Sequence, residues 1–457
     1  MKMGSKSAMV AAAAIAVVAL AAAQAPAIPS HEDFKYLPAS RESYLKFRVE
    51  TEKMLNQDVL DVWFPRSIDN QHGGFYAVFS RDWKPGPTQG KFSVFQGRMT
   101  WISSQMVVRR PETKDRFLPI AQHGLQFLND VLWDKKDGGY FWGLDDSGAV
   151  ANSFTEKKEM YGESFGLYGA AAAYQATHDS KALELAQKEF RWMEEHAHDS
   201  KNGGYFELLT RDGKPVEADA NGTPARNDSG GGFLAGYKSM NTHIHLLEAM
   251  TQLYEVWKDD LVRRRLQELL AIVRDKVCVD PGVMNLYFTN DWRPIPDHDS
   301  YGHDVETAYL MLEAEDVLGV PHDPKTERMA RMLVDHALAF GWDDKLGGFY
   351  GEGTTFGKTE DKGKDWWVEM EGLNALLLMH EKYGAHTDAY FRAFQKQLDF
   401  IEKYQRDPEF LGFYPRVGED GKPLATDKGQ NWKAAYHDGR ALLNVSDRLK
   451  KLASESK

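Results

Sequence analysis

Several residues able to move a proton stand at the starts of apolar segments. In "SYGHDVETAYLMLEAEDVLG", His303 and Glu306 are three residues apart, ahead of the apolar stripe Tyr309, Leu310, Leu312, Val317 and Leu318. That spacing puts both on one face of a helix. "MNTHIHLLEAM" offers Asn241, His243 and His245, "AAYHDGRALL" offers His437 to Arg440, and "FSVFQGRMTW" offers Arg98. "MYGESFGLY" adds Tyr161 and Glu163, and "KDWWVEMEGL" adds Trp366, Trp367 and Glu371. An imidazole beside a carboxylate is an acid/base unit that works near neutral pH. The competing chemistry is metal ligation by His243 and His245 or by His303 and Asp304. Neither an H-E-x-x-H nor a paired-cysteine pattern is present, so no metal and no cofactor are expected. His243 and His245 cannot share a helix face, so one faces the site while the other packs or bonds behind it. Histidines elsewhere, His336 and His380 among them, are expected in loops, in outer helices or on polar faces, solvated or locally bonded.

The elements that must position these groups repeat along the chain. "HGGFYAVF" (72–79), "DGGYFWGL" (137–144), "NGGYFELL" (202–209) and "LGGFYGEG" (346–353) are related. "LGFYPRVG" (411–418) is a copy short of one glycine, and "MNLYFTND" (284–291) is a degenerate one. Copies lie about 65 residues apart, one interval being stretched to roughly 80. Each precedes two amphipathic stretches of about 20 residues, which gives six helix pairs. Stacked and closed, they predict an all-α, single-domain (α/α)6 barrel with short hairpins between pairs. An open solenoid is the alternative, disfavoured because no polar capping unit ends the series. The helix after each hairpin, richer in small and apolar residues, is expected inside. Arg98 and Glu163 each follow the second glycine of their hairpin by 24 residues, which assigns them equivalent positions. His245, His303 and His437 are likewise assigned one station. Polar groups at the start of every inner helix would converge on a pocket at the end where helix N-termini favour a developing anion.

Composition narrows the ligand. The 457 residues carry a net charge of −12 and no Lys/Arg run, which argues against nucleic acid. With 12 Trp, 19 Tyr and 24 Phe there are rings to spare for the apolar faces of sugars. Residues 1–23 read as a signal peptide: Lys2 and Lys6 precede an apolar run closed by Ala21-Ala22-Ala23, leaving Gln24 to begin the mature chain. Residues 24–457 then form the barrel domain, exported to the periplasm or secreted and free of the membrane once processed. An uncleaved anchor is the other reading. Cys278, the only cysteine, can make no internal disulfide. The insert at 218–237 is either a surface loop or a lid over the pocket mouth. Its "GGGFLAGYK" is no phosphate loop, since Tyr237 splits glycine from lysine.

Taken together, "MNTHIHLLEAM", "SYGHDVETAYLMLEA", "KDWWVEMEGL" and "YHDGRALL" resemble the cellobiose 2-epimerase family, within the N-acylglucosamine 2-epimerase superfamily. The likeness spans roughly residues 40–450. It implies an (α/α)6 barrel, no cofactor, and inversion at C2 of the reducing-end sugar of a β-1,4-disaccharide. By that resemblance His303 and His437 are the general acid/base pair, and Glu306 bonds the first of them. His245 and Asn241 lie around the C1 and C2 oxygens, Arg98 lies near the enediolate, and Trp366, Trp367 and Trp432 stack on sugar. Glu163 and Ser164 depart from the Gln and Ala usual in the family. The chemistry is coherent. The hydrogen at C2 is weakly acidic, imidazole supplies the base, and inversion needs groups on both faces. Epimerisation or isomerisation of a free or N-acylated monosaccharide remains an alternative. So does a glycoside hydrolase using Glu163 and Glu371 as its carboxylates, or a sugar-binding protein without catalysis. The sequence leaves the oligomeric state open, and a monomer is compatible with it.

Overall fold

A computed structural model of the chain describes residues 34–150, 157–218, 236–320 and 322–456. Its helices are α1 (Arg41–Met54), α2 (Asp61–Arg66), α3 (Ser93–Arg109), α4 (Lys114–Phe127), α5 (Met160–Thr177), α6 (Ser180–His196) and α7 (Met240–Val256). There follow α8 (Asp260–Ile272), α9 (Tyr301–Leu318), α10 (Pro324–Phe340), α11 (Trp366–Tyr383), α12 (Ala389–Phe400) and α13 (Tyr436–Glu455). The odd-numbered helices from α3 to α13 form the inner ring. In α5 every residue from Met160 to Ala173 is buried, which suits a helix apolar on all sides. The outer α6, α8 and α10 are amphipathic and start on aspartate caps, Asp179, Asp259 and Asp323. Successive inner helices pack side by side, and α13 meets α3 to close the ring. The fold is the (α/α)6 barrel.

A ring of short strand pairings closes the same circle. The segment before each inner helix pairs antiparallel with the segment after the next hairpin. Lys91–Phe92 pairs with Gly143–Leu144, Lys158–Glu159 with Leu208–Leu209, and Tyr237–Ser239 with Tyr287–Thr289. Asp299–Ser300 pairs with Glu352–Gly353, and Lys364–Asp365 with Arg416–Val417. Gly429, before α13, then bridges back to Phe79 of the first module. An open solenoid would leave that last partner unpaired.

A second repeat lies under the glycines and went unread in the sequence. An aspartate opens each well-formed hairpin, and a buried lysine from the strand ahead of the inner helix pairs with it. The Nζ–carboxylate distances are 2.7 Å for Lys91–Asp69, 3.2 Å for Lys158–Asp134 and 2.8 Å for Lys238–Asp199. They are 2.5 Å for Lys364–Asp343 and 2.8 Å for Lys428–Asp407. Lys91, Lys238 and Lys364 also donate to the carbonyl of the first glycine of the turn. Removing one partner would strand a buried charge, a loss of about 3–5 kcal/mol. These staples fix where five of the six inner helices begin, and so where their first polar side chains point.

The proposed signal segment, residues 1–23, lies outside the described residues, as does the insert at 218–237 apart from its ends. Among the described residues no helix is long and apolar enough to cross a membrane.

Candidate active site

The first turns of the inner helices carry two sets of polar residues with different duties. At the fourth residue of their helices stand Gln96, Glu163, His243 and Glu369. Each accepts the backbone N–H of the aromatic residue after a hairpin: Phe75 at 2.8 Å, Tyr140 at 2.8 Å, Tyr205 at 3.1 Å and Phe349 at 3.2 Å. Two residues later stand Arg98, His245, Glu306 and Glu371, on the face toward the barrel axis. Arg98 and Glu163 are therefore not equivalent, contrary to the count from the glycines. The loop before α3 is two residues shorter than the one before α5, measured from glycine to helix start. Nor does His245 share a station with His303 and His437, for it sits about one turn deeper.

The axial set opens onto a cavity of about 340 Å³ lined by Arg98, Tyr161, Asn241, His245, His303, Glu306, Trp366, Trp367, Trp432 and His437. All ten were singled out from sequence. Of the inner helices only α7 has a side-chain cap, from Ser239, so the first-turn N–H groups of the others remain directed at this end.

Three imidazoles are each held from behind at Nδ1, leaving Nε2 toward the cavity. His303 contacts Ser300 Oγ at 2.7 Å, His437 contacts Glu371 Oε1 at 2.8 Å, and His245 contacts Glu248 Oε2 at 2.9 Å. Burial lowers the pKa of His303 to about 4 and that of His437 well below the usual imidazole value, so both are free bases at neutral pH. The ring of Trp367 lies 4.8 Å from that of His303 and 5.8 Å from that of His437, so both bases neighbour one indole. Arg98 donates to the Trp432 carbonyl at 3.1 Å and to Tyr161 Oη at 3.2 Å. Its guanidinium lies over Phe165, 4.4 Å from the ring centroid. Asn241 Oδ1 has no hydrogen-bond partner among the described residues.

Beneath them lies Arg440, fully buried, which bonds Glu248, Glu306 and Tyr436, and Glu371 at 2.6 Å. This corrects the role assigned to Glu306. It does not hydrogen-bond His303, and acts on that ring only through its charge, which opposes the effect of burial. Ser300 makes the contact instead. Glu306, Glu371 and His437 are close enough to share a cation, and the guanidinium of Arg440 supplies that charge. Glu163 is not a cavity residue at all. Its carboxylate pins Tyr140 and faces Glu189, and burial raises its pKa to about 7. Glu371 is likewise out of the cavity lining and orients His437. Among the described residues no pair of free carboxylates therefore lines this cavity, as a hydrolase would need.

Sequence reasoning missed Ser300 and Glu248, and saw Arg440 only as a polar residue at a helix start. Glu248 had a signal: it follows His245 by three residues, the same spacing as His303 and Glu306. His243, as expected, bonds behind the wall, its Nδ1 2.7 Å from the Ser239 carbonyl.

A closed ring of helix pairs, with an imidazole-lined cavity ringed by tryptophan, is the architecture of a carbohydrate epimerase. The profile of the N-acylglucosamine 2-epimerase (GlcNAc 2-epimerase) family matches residues 73–441, and the chain belongs to that family. It is 29% identical over 412 residues to the cellobiose 2-epimerase of Bacteroides fragilis, covering 87% of this chain and 97% of that one. To the N-acylglucosamine 2-epimerase of Mus musculus it is 24% identical over 430 residues, covering 88% and 91%. The solved cellobiose 2-epimerase of Spirochaeta thermophila superposes with a TM-score of 0.79 at 29% identity, covering 90% of this chain and 98% of that one. A GH76 α-mannanase of Bacteroides thetaiotaomicron, at a TM-score of 0.55 and 12% identity, shares the fold alone.

Proposed function

We propose that this enzyme inverts C2 of the reducing-end sugar of a β-1,4-disaccharide of the cellobiose or mannobiose type, by proton removal and return through an enediolate. The observation that carries the reading is the pair His303 and His437. They come from α9 and α13, each fixed at Nδ1, with Trp367 beside both. Inversion needs a group on each face of the carbon, and two imidazoles from different helices provide that. One takes the C2 proton as a free base. The other, neutral at rest, takes a proton from solvent and delivers it to the opposite face. The first then releases the C2 proton to solvent, and the roles exchange with the direction of reaction. Arg98 and the uncapped helix starts stabilise the charge that develops on the C1 and C2 oxygens. His245, backed by Glu248, holds the same oxygens, and the carbonyl oxygen of Asn241 accepts from a sugar hydroxyl. Trp366, Trp367 and Trp432 offer ring faces to the sugar.

The disaccharide is favoured by the shape of the opening. A second cavity of about 390 Å³ adjoins the first and shares Asn241, His303, Trp366, Trp367 and Trp432 with it. One sugar ring fits over the histidines and a second has room outside. The test is incubation with cellobiose and with mannobiose in D2O, followed by position-resolved NMR. The expected product is the C2 epimer carrying deuterium at C2. Release of monosaccharides, or an epimer without deuterium after many turnovers, overturns the reading. We also propose export through cleavage after Ala23, supported by the Lys2 to Ala23 pattern. Amino-terminal sequencing of the mature protein should begin at Gln24.

A further inference from the structure

The fourth module breaks the staple that serves the others. Two residues before α3, α5, α7 and α11 stand the buried Lys91, Lys158, Lys238 and Lys364, whereas Asp299 stands two residues before α9. At the fourth residue of α9, where Glu163 and Glu369 stand in their helices, there is Asp304. In the second and fifth modules the lysine charge acts on that glutamate. In the fourth, a carboxylate faces a carboxylate. Asp299 is 1% exposed and Asp304 is 0% exposed. No ammonium or guanidinium pairs with either among the described residues.

A third group points into the gap from the outer helix. His336 of α10 is 3% exposed, and its Nδ1 is 3.4 Å from Asp299 Oδ2. Sequence reading placed it among the solvated or locally bonded histidines. Instead it is buried, and its polar neighbours among the described residues are Asp299 and the Thr355 backbone. Asp299 and Asp304 hydrogen-bond each other, and Asp299 also accepts from the backbone N–H groups of Ser300 and Met284. One ligand atom from each of the three residues lies within 4.8 Å of the others. Two buried negative charges with an imidazole among them are costly unless a positive charge joins them.

We propose that Asp299, Asp304 and His336 bind one divalent transition-metal cation of the Zn2+ or Mn2+ class, which stands where the other modules place lysine. Two carboxylates and an imidazole are a borderline-hard set that suits those ions. The ligands come from a strand, an inner helix and an outer helix, so the cation does for this module what the Lys–Asp staple does elsewhere. It also fixes the frame of His303, since Ser300 adjoins Asp299 in sequence and His303 adjoins Asp304. The outermost ligands are 37 residues apart, which is why no short motif revealed them.

The inference is independent of the substrate and is read by metal content and melting. The full chain is stripped with dipicolinate, reconstituted with Zn2+ or Mn2+, gel-filtered and analysed by mass spectrometry. About one equivalent per chain is expected in the wild type, and less than about a tenth in His336→Gln and in Asp299→Lys, whose ammonium fills the gap. Stripping should lower the wild-type Tm by at least about 3 °C, with recovery on adding metal, and leave that of Asp299→Lys unmoved. If Asp299→Lys does not fold, Asp299→Asn serves for metal content. Co2+ reconstitution then gives visible bands that His336→Gln shifts or loses. No retained cation in the wild type, an unchanged Tm after stripping, or binding that survives both substitutions would each overturn the proposal. The first two results would leave a proton shared by the two carboxyl groups as the link.

Discussion

His243 and His245 stand two residues apart on α7 and do opposite work. His243 is fully buried, accepts the Tyr205 N–H, and has its pKa lowered to about 3 by burial. His245 opens onto the cavity with Glu248 behind it. Glu369 and Glu371 divide in the same way on α11, the first pinning Phe349 and the second orienting His437. Two steps along a helix turn the side chain by about 200°, so the pair faces nearly opposite directions. A buried polar residue at the start of an inner helix thus has two possible meanings. Its register from the helix start, not its type, decides which applies.

The largest expected effect lies on the axial side. His437→Ala and His303→Ala should each lower kcat by about 10³-fold or more, with circular dichroism and Tm close to wild type. Retention of a tenth of the wild-type rate by either variant would remove that residue from the acid/base pair. The opposite face should give the opposite signature. His243→Ala leaves the Tyr205 N–H unsatisfied and a void beside Trp292, whose ring centroid is 4.8 Å from that of His243. A stability loss of about 2–4 kcal/mol is expected, with kcat per folded molecule within about threefold of wild type. A large kcat loss without destabilisation would erase the distinction between the two stations.

The hairpin-pinning carboxylates should also show themselves in pH dependence. Burial raises the pKa of Glu369 to about 8, against about 4.3 in the unfolded chain. The folded state therefore holds this proton more tightly. The resulting stability is fully present below the unfolded value and is lost as pH rises toward 8. Glu369→Gln has no proton to lose. Its Tm relative to wild type should rise steadily between pH 5 and pH 8, as measured by calorimetry in matched buffers. A flat difference would mean that Glu369 titrates as an ordinary surface carboxylate.

Much of this is legible in the amino-acid sequence. The glycine repeat gave the number of helix pairs, and the polar residues at the inner-helix starts included seven of the ten that line the cavity, the other three being Trp366, Trp367 and Trp432. What stayed hidden depends on closure of the ring. Arg440 of α13 touches Glu248 of α7, Glu306 of α9 and Glu371 of α11, partners that no local spacing connects. Glu306 was assigned to His303 because they share a helix face, yet the guanidinium below competes for that carboxylate and wins. Glu163 was misplaced for a simpler reason. Counting from the glycines ignores a loop of variable length, while counting from the helix start does not.

The smallest effect concerns the hairpins themselves. Four of them place consecutive glycines in the left-handed region, as at Gly73 and Gly74 with φ of 82° and 67°. The sixth hairpin keeps that shape with one glycine missing, so Leu411 adopts φ of 61° ahead of Gly412 at 70°. A left-handed conformation costs a residue with a Cβ about 1–2 kcal/mol. Glycine relieves that strain but adds about 0.5–1 kcal/mol of chain entropy to be lost on folding. Leu411 is half-buried against the core, and its side chain returns part of the difference. Leu411→Gly should therefore raise stability by only about 0.5 kcal/mol, a Tm gain of about 1 °C, with kcat unchanged. Leu411→Ala is the needed control, because it keeps the strained backbone and loses the contact, and it should melt below both. If the glycine variant melted no higher than the alanine one, the turn would not carry the strain its φ implies.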